Sequence, residues 1–355
     1  MQKQITSLIL AFVLAAVLSS CARQASGQKG VMIIPKEDQQ EVDVLMDGQP
    51  FTSYIFDSKY DVLKKPVLYP LRSPSGVVIT RGYPLEPKAG ERTDHPHHIG
   101  LWFNYGNVDG LDFWNNSSAI PAERAPHMGH IVHRAITETK SGEDSGVLGV
   151  SMDWNTHDNK TLMKEDARYV FHEGENSRAI DYIVTLTALD KTVQLHDNKE
   201  GVLGIRVTRA LELPTKRPIK LTGPDGKPME VPVLDNEGVT GDYLSSEGAT
   251  GEDVWGTRGR WVELTGVVEG QPVTLAILDH PDNVGFPTYW HARPYGLFAA
   301  NPLGQAVFSN GKKQLNYELP AGKSVTFRYR ILILSGKATA DQMEQEYQDW
   351  IHVTS

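Results

Sequence analysis

Ile180-Asp-Tyr-Ile-Val-Thr-Leu-Thr-Ala188 has an apolar residue at every second position, and Val325-Thr-Phe-Arg-Tyr-Arg-Ile-Leu-Ile333 repeats the pattern. A period of two is typical of β-strands that bury one face and expose the other. Helical spacing is nearly absent elsewhere, and 32 Gly and 21 Pro divide the chain into short segments. These features predict an all-β protein.

Many other segments have the length and composition of strands. They fall at 42–46, 51–56, 67–71, 77–81, 99–105, 131–137, 147–154, 203–213, 261–268, 273–279 and 296–300. Asp47-Gly48 separates the first two and predicts a hairpin turn. The segment 214–232 is rich in Pro, Gly and Lys and predicts a long hairpin rather than a domain boundary. Residues 39–355 are therefore predicted to form one domain, a large antiparallel sandwich of two sheets.

The C-terminus departs from the strand pattern. Thr339 and Gln342 have the spacing of a capping box, and apolar residues from Met343 to Ile351 follow on one helical stripe. A helix over 339–352 is therefore predicted to pack on the sandwich.

Residues 1–21 have the features of a bacterial lipoprotein signal. Lys3 gives the start a positive charge, an apolar run extends from Leu8 to Leu18, and small residues precede Cys21. We therefore expect Cys21 to be lipidated and to anchor the protein to a bacterial membrane, with the outer membrane as the expected location. The alternative is ordinary signal cleavage that leaves Cys21 free. Residues 22–38 are predicted to be a flexible tether.

The composition excludes several classes of function. The chain has one cysteine, so with Cys21 lipidated it has no disulfide, cysteine metal site or thiol nucleophile. The net charge is −9 at pH 7 and no basic run occurs, which argues against nucleic acid as a partner. After the leader no apolar run is long enough to span a bilayer, so the membrane is expected as a partner only through the lipid anchor. Nothing in the sequence points to a particular oligomeric state.

Histidines are concentrated in one part of the chain. Half of the 12 histidines lie within 95–133, and three of them are in Asp94-His-Pro-His-His98. Imidazole binds metals and transfers protons near neutral pH. In an extended segment His95 and His97 would point to the same side, so they are the predicted ligands of a divalent transition metal.

A second segment of similar character lies far along the chain. Asp279-His-Pro281 repeats the tripeptide Asp94-His-Pro96 and precedes Tyr289-Trp-His-Ala-Arg-Pro-Tyr-Gly296. The two histidine-rich segments are predicted to be two walls of one site. In the metal hypothesis the first choice of third ligand is His280 or His291, and the next choices are Asp94, Asp112 and Asp279.

A metal-free site is the competing hypothesis. Histidine and aspartate side chains would act as acid and base on a polar substrate, and an arginine would hold a carboxylate or oxyanion. The residues predicted for catalysis are Asp94, His98, His280, His291 and Arg293. The structural alternative is that the histidines only cap turns and satisfy buried carbonyl groups.

Aromatic side chains surround both segments. Flat apolar faces beside amides, carboxylates and guanidiniums suit a sugar, whose C–H faces stack and whose hydroxyls need polar partners. The residues predicted to bind the substrate are Arg92, Trp102, Asn104, Asp112, Trp114, Trp290 and Tyr295. A carbohydrate is therefore the expected ligand, and core packing is the alternative role for the aromatic residues.

Several motifs together resemble a family of bacterial lipoproteins and secreted proteins that carries the label "methane oxygenase PmoA". The resemblance covers about residues 40–335. It rests on Arg92-Thr-Asp-His-Pro-His-His-Ile-Gly-Leu-Trp-Phe103, Val108-Asp-Gly-Leu-Asp-Phe-Trp114, Glu200-Gly-Val-Leu-Gly-Ile-Arg206, Val254-Trp-Gly-Thr-Arg-Gly-Arg-Trp-Val262, Leu278-Asp-His-Pro-Asp-Asn283 and Pro287-Thr-Tyr-Trp-His-Ala-Arg-Pro-Tyr-Gly-Leu-Phe-Ala-Ala-Asn-Pro302. The family is similar to proteins found near carbohydrate-degradation genes in Bacteroidota and Planctomycetota, which implies a carbohydrate context.

The expected fold is thus a large sandwich of the galactose-mutarotase-like kind, a supersandwich with a short C-terminal helix. The leading hypothesis is an extracytoplasmic enzyme that acts on a sugar or oligosaccharide as a hydrolase, lyase or epimerase, with or without a metal. The alternative is a non-catalytic glycan-binding lipoprotein. The family label would imply a copper oxygenase, a remote alternative because a particulate methane oxygenase subunit crosses the membrane several times.

Overall fold

The computed structural model describes residues 29–56 and 60–354. Its strands, in chain order, are β1 (Val31–Lys36), β2 (Glu41–Met46), β3 (Gln49–Ile55), β4 (Val67–Leu68), β5 (Leu101–Tyr105), β6 (His130–Lys140), β7 (Ser145–Asn155), β8 (Thr161–Gly174), β9 (Ser177–Ala188), β10 (Val193–Leu195), β11 (Gly201–Arg206), β12 (Asp242–Ser245), β13 (Trp261–Val268), β14 (Gln271–Asp279), β15 (Tyr289–Trp290), β16 (Leu297–Asn301), β17 (Tyr317–Leu319) and β18 (Ser324–Ser335). The α-helices are α1 (Gln305–Phe308) and α2 (Ala340–Thr354). Short 3-10 turns occur at Glu37–Gln39, Ala122–His127, Arg209–Leu211 and Gly251–Val254.

The strands form two large antiparallel sheets. Sheet 1 has the order β1-β2-β3-β4-β5-β11-β16-β15, and sheet 2 has the order β12-β13-β14-β18-β9-β8-β7-β6. Strands β10 and β17 form a separate pair. The predicted fold class, an all-β sandwich of two large antiparallel sheets with a C-terminal helix, is confirmed.

The two alternating stretches lie side by side as β9 and β18 in sheet 2. Val184 of β9 pairs with Phe327 of β18, and both are buried in the core. Their neighbours Thr185 and Thr326 point to the opposite face, where their hydroxyl oxygens are 2.9 Å apart. The period of two therefore separates an apolar face from a polar one, as the sequence predicts.

The main core lies between the sheets. Phe103 on β5 reaches across from sheet 1, with its ring centroid 5.6 Å from that of Phe327 and 6.2 Å from that of Tyr182. Burying one large apolar side chain of this kind contributes about 1.5–3 kcal/mol to stability. The alternate residues of β5, Trp102 and Asn104, point to the outer face of sheet 1, where the candidate site lies.

Helix α2 covers the outer face of sheet 2. The hydroxyl oxygen of Thr339 accepts a hydrogen bond from the backbone N–H of Gln342 at 3.2 Å. In return the side-chain oxygen of Gln342 accepts one from the backbone N–H of Thr339 at 2.9 Å. Trp350 is buried against Trp261 of β13. The predicted capping box and C-terminal helix are therefore confirmed.

The start of the domain differs from the prediction. Residues 31–36, expected within a flexible tether over 22–38, form β1 and pair with β2. Val31 and Ile33 are buried in the core, and this burial holds the strand in the sheet. The predicted leader and the first part of the tether lie outside the described residues.

The predicted strand over 77–81 is wrong. Val78 and Thr80 make only isolated bridges, to Arg72 and Val207 respectively. This stretch passes between strands and does not join a ladder. It is followed by Arg81, whose side chain contacts the histidine segment.

The segment 214–232 belongs to a hairpin, as predicted. Ile219 and Val233 exchange both backbone hydrogen bonds, at 2.8 and 2.9 Å. Leu221 on its first arm bridges Arg92, two residues before the histidine segment. The hairpin therefore borders the candidate site.

Among the described residues, no helix has the length and apolar character needed to cross a membrane.

Candidate functional site

Trp102 forms the floor of the site on the outer face of sheet 1. Gly204 of β11 lies opposite Trp102 of β5, and a Cβ at Gly204 would be 2.5 Å from Cζ2 of the indole. Glycine is therefore needed for the indole to lie across β11. The imidazole of His98 stacks on this indole, with centroids 5.3 Å apart and planes 18° apart.

Arg81 shapes the histidine segment from beneath. Its buried guanidinium donates hydrogen bonds to the carbonyl oxygens of Arg92 at 3.1 Å, Asp94 at 2.8 Å, His95 at 2.9 Å and His98 at 3.2 Å. A planar group with several fixed donors can hold several carbonyls at once, which a lysine could not do. Arg81 therefore sets the backbone path of the segment, and sequence reasoning did not single it out.

The segment forms a tight turn and is not extended. His95 has a φ of 44°, and the backbone N–H of His98 donates to the carbonyl of His95 at 3.0 Å. The extended conformation from which His95 and His97 were predicted to point to one side is therefore not formed. Their ring centroids are 5.7 Å apart and their ring planes differ by 79°. Instead the rings of His95 and His98 are parallel within 4°, with centroids 4.9 Å apart.

Asp94 is fixed by two buried arginines. Its Oδ1 lies 2.6 Å from Nη2 of Arg206 and 3.0 Å from Nη1 of Arg81. Burial alone would raise the pKa of Asp94, but the positive charge of Arg206, the contact with His95 and the charge of Arg81 outweigh burial and hold the pKa well below its usual range. Asp94 is therefore a carboxylate at any physiological pH.

His95 is the exposed imidazole of the segment. Its side chain is 39 % exposed, and Nδ1 lies 3.4 Å from Oδ1 of Asp94. The ring lies parallel to that of Tyr295 within 7°, with centroids 4.9 Å apart. The carboxylate beside Nδ1 and the parallel aromatic ring orient the imidazole, which leaves Nε2 on the opposite edge for a ligand.

His98 is part of the scaffold. It is 1 % exposed, and its Nε2 accepts a hydrogen bond from the indole N–H of Trp114 at 3.2 Å. Its Nδ1 lies 3.3 Å from Nη1 of Arg206. Burial, with the charges of His97 and Arg206, holds the pKa of His98 well below its usual range.

The structure buries His98, the predicted catalytic histidine, and leaves His95, a predicted metal ligand, partly exposed. A neutral imidazole has one acceptor nitrogen, so only one of the two donors beside His98, the indole of Trp114 and the guanidinium of Arg206, can hydrogen-bond to it at a time. The burial of His98 follows from the turn at 95–98, which the sequence does not predict.

The structure does not assemble the predicted metal site. Among residues 29–56 and 60–354, no group of three or more His, Cys, Asp or Glu side chains could hold a metal ion. His97 is nearly buried, and burial and the charge of Lys65 lower its pKa to about 2. The Lys65 ammonium donates to the carbonyl of His97 at 2.8 Å. Burial also lowers the pKa of Lys65, to about 7.

His291 lies at the rim of the same site. Its Nδ1 is 3.8 Å from Oε2 of Glu200, and the other oxygen of Glu200 is paired with Lys199. Burial, followed by the charges of Lys199 and Arg293, lowers the pKa of His291 to about 3. The charge of His95 makes a smaller contribution to this lowering. His291 is therefore neutral near pH 7.

Arg293 and two aromatic rings complete the rim. The guanidinium carbon lies 5.5 Å from the ring centroid of Trp255 and 5.7 Å from that of Tyr295. Trp255 is 39 % exposed. Burial raises the pKa of Tyr295 to about 12, so its hydroxyl stays protonated. The predicted joining of the 94–98 and 289–296 segments is therefore observed.

The second Asp-His-Pro motif is not part of the site. Asp279 ends β14 of sheet 2, where its carboxylate accepts hydrogen bonds from Nδ2 of Asn283 and the backbone N–H of Thr288, both at 2.8 Å. His280 packs edge-on against Trp350 of α2, with ring centroids 5.3 Å apart. The predicted catalytic role of His280 is therefore wrong, because the motif turns the chain on the other sheet.

Most of the predicted substrate-binding residues are buried in the scaffold. Trp290 is fully buried and donates its indole N–H to the carbonyl of Gly259 at 3.2 Å. Asn104 accepts from the indole N–H of Trp102 at 3.1 Å and donates to the carbonyl of Phe113 at 2.6 Å. Trp114 is also fully buried. Trp290 belongs to the main core between the sheets, and Trp114 packs beside Trp102 beneath the site. None of these buried side chains can touch a ligand in this conformation.

Arg92 and Asp112 also have structural partners. Nε of Arg92 lies 2.6 Å from Oε2 of the buried Glu212. Oδ1 of Asp112 accepts from the backbone N–H groups of Trp114 and Asn115, both at 2.9 Å. Both residues therefore hold loops around the site, and of the predicted substrate-binding set Tyr295 is the one that reaches the rim.

The sequence from residue 41 to 348 matches the family described as "Family of unknown function (DUF6807)". A comparison with curated proteins gives no match.

Solved structures with a similar fold include three proteins at low identity. The GH36 alpha-galactosidase from Geobacillus stearothermophilus is 10% identical over 86% of this chain with a TM-score of 0.39, and the match spans only 41% of that enzyme. Galactose 1-epimerase from Lactobacillus acidophilus is 11% identical, with 88% of this chain and 100% of that chain covered and a TM-score of 0.37. A galactose mutarotase-like protein from Clostridium acetobutylicum is 10% identical, with 84% and 93% covered and a TM-score of 0.34. These values concern the fold alone, so the chemistry of the site rests on its own residues.

Proposed function

This chain belongs to the DUF6807 family, and we propose that it is an enzyme that transforms a sugar or oligosaccharide by proton transfer at His95 and His291. The reaction class is hydrolysis, elimination or epimerisation, each of which needs one group to accept a proton and another to donate one. One observation carries the proposal: an exposed imidazole, His95, stands against a carboxylate, Asp94, that two buried guanidiniums hold in place.

The Asp94–His95 pair has the arrangement of an oriented general base or acid. Oδ1 of Asp94 lies 3.4 Å from Nδ1 of His95, so it favours the tautomer that carries its proton on Nδ1. Nε2 of His95 is then the basic nitrogen and can remove a proton from a substrate hydroxyl or carbon. The imidazolium that forms is stabilised by the same carboxylate.

His291 and Glu200 supply a second proton-transfer position. His291 is uncharged near neutral pH, since its pKa is lowered to about 3, and its Nδ1 is buried without a hydrogen-bond partner among the described residues. Because His291 is itself buried, it acts through Glu200 and does not contact the substrate directly. Glu200, whose Oε2 lies 3.8 Å from that nitrogen, can pass a proton to it or take one from it.

The rim suits a sugar ring. Trp255 presents a partly exposed aromatic face, and sugars stack on such faces through their C–H groups. The ring of Tyr295 is stacked with His95 and offers its edge and hydroxyl. His95, Asp94 and Glu200 offer the donors and acceptors that ring hydroxyls need. We further propose that the protein works outside the inner membrane as a lipoprotein attached through Cys21, as the sequence pattern at its start predicts.

The test is a conversion screen with a matched pair of variants. The mature chain is incubated with neutral and acidic mono- and oligosaccharides, and NMR follows anomeric exchange, epimerisation, cleavage and formation of unsaturated products. His95→Gln should reduce any conversion at least about 100-fold. His157→Gln, which changes a histidine outside the site, should leave it unchanged.

Two results would contradict the proposal. Conversion that survives His95→Gln would remove His95 from the chemistry. Binding of a sugar without any conversion would favour the non-catalytic glycan-binding alternative, in which Tyr295 and Trp255 hold a ligand that the protein does not change.

A further inference from the structure

We propose that the substrate carries an anionic substituent, a carboxylate or a sulfate, that binds to Arg293 beside the proton-transfer pair. The inference rests on the proposed function and names the substrate class of the same site.

Arg293 is held in place without an anionic partner. Among the described residues, its guanidinium has no carboxylate within ion-pair distance, and no side-chain hydrogen bond from it is formed. Its position comes instead from the rings of Trp255 and Tyr295, whose centroids lie 5.5 and 5.7 Å from the guanidinium carbon. Such stacking fixes the plane of a guanidinium while its N–H groups stay available along the edge. An arginine arranged in this way is preorganised for bidentate binding of a planar anion.

The carboxylates around Arg293 are already engaged with other cations. Asp94 is paired with Arg81 and Arg206, and Glu200 is paired with Lys199. None of these carboxylates is left to neutralise Arg293.

Arg293 is a cation without an anionic partner among the described residues, in a chain whose net charge is −9. Burial is the main cause of the lowered pKa of His291, and the charges of Lys199 and Arg293 add to it. An unneutralised guanidinium at the site favours an anionic ligand there.

Arg293 would hold the anionic substituent of the substrate close to His95, the proposed proton-transfer residue. The ring of Tyr295 lies between the two groups, with its centroid 5.7 Å from the guanidinium carbon of Arg293 and 4.9 Å from the imidazole centroid of His95. A sugar that lies against the edge of Tyr295 and bonds Arg293 through a ring substituent would therefore bring its ring atoms toward Nε2 of His95. An anion at this position would orient the substrate for proton transfer.

The test compares ligands that have the same shape and differ in charge. Dissociation constants of the mature chain are measured by NMR titration for D-glucuronate and D-glucuronamide, D-galacturonate and D-galacturonamide, and galactose 6-sulfate and galactose. At least one anion should bind about tenfold or more tightly than its neutral partner. The preference should shrink between about 0.05 M and about 0.5 M NaCl because salt screens the charge. A preference within the uronate pairs identifies a carboxylate, and one within the galactose pair identifies a sulfate.

Arg293→Gln should bring that ratio close to one while the affinity for the neutral sugar stays within about twofold. Arg134→Gln removes the same charge from an exposed ion pair with Asp153 on β6 and should keep the ratio. Equal binding of anionic and neutral sugars, or a ratio that survives Arg293→Gln, would overturn this inference and leave the role of His95 standing. A chain that binds none of these sugars, but loses a conversion through His95→Gln, would also overturn it.

Discussion

The imidazoles of His95 and His98 lie parallel, with centroids 4.9 Å apart, yet one is exposed to solvent and the other is buried. The turn at 95–98 produces this arrangement, and Arg81 stabilises the turn through the carbonyl oxygens of both residues. The buried ring of His98 lies beside the partly exposed ring of His95 and supports it. In the proposed function, the first histidine is structural and the second performs the chemistry.

Arg206→Met should destabilise the protein by about 3 kcal/mol. This is the lower end of the range for breaking a buried ion pair, because Asp94 is about a third exposed and water can solvate part of its charge. Chemical denaturation of the mature chain measures the change. Arg134→Met, at an exposed pair, should cost less than about 1 kcal/mol. Equal effects of the two substitutions would mean that the buried guanidinium does not hold Asp94.

Gly204→Ala should destabilise the protein by about 1–3 kcal/mol through overpacking. The new methyl group would be 2.5 Å from Cζ2 of Trp102, and the facing backbone of β5 leaves the indole no simple way to retreat. Combining it with Trp102→Leu should cost less than the sum of the two single changes, since the smaller side chain removes the clash. Additive costs in this double-mutant cycle would show that the close approach is not the cause.

Glu165 should make stability fall as the pH rises through neutrality. Burial raises its pKa from 4.5 to about 8, although Trp154 donates a hydrogen bond to its carboxyl group at 2.7 Å. Between these two pH values the folded state keeps a proton that the unfolded state has lost, so stability decreases from about pH 4.5 up to about pH 8. Glu165→Gln should therefore raise the Tm at pH 8 by at least about 2 °C more than at pH 5. An equal change in Tm at both pH values would contradict this prediction, because it would mean that the Glu165 carboxylate is charged and solvated in the folded protein.

The same residue illustrates where the sequence misleads. Met163, Ala167, Tyr169 and Phe171 alternate along β8 and face the core, but Glu165 occupies a core position among them and hides the period of two. The sequence therefore does not predict β8. It does predict β9 and β18, whose alternation of apolar and polar residues is uninterrupted.

The sequence predicts the position of the site more accurately than the roles of the residues in it. Local clustering of histidines identified the 94–98 and 289–296 segments, which do meet. The contributions of Arg81 and Arg206 could not be foreseen, because each arginine acts through pairing with a distant part of the chain. Arg206 ends the motif Glu200-Gly-Val-Leu-Gly-Ile-Arg206, but the motif does not indicate its partner Asp94. The repeated tripeptide at 279–281 led to a wrong prediction because a short motif does not fix its place in the fold. Here Asp-His-Pro ends a strand of the other sheet, where Asp279 stabilises a turn.

The most direct test of the proposed role of His95 compares the variants His95→Gln and His98→Gln of the mature chain. Turnover is measured on the sugar that the conversion screen identifies, and stability is measured by chemical denaturation. We expect His95→Gln to lose at least about 100-fold in turnover with stability within about 0.5 kcal/mol of the wild type. We expect His98→Gln to lose about 1–3 kcal/mol of stability, because the contacts with Trp114 and Arg206 are buried. Full turnover in His95→Gln would contradict the central claim that the exposed imidazole beside Asp94 performs the chemistry.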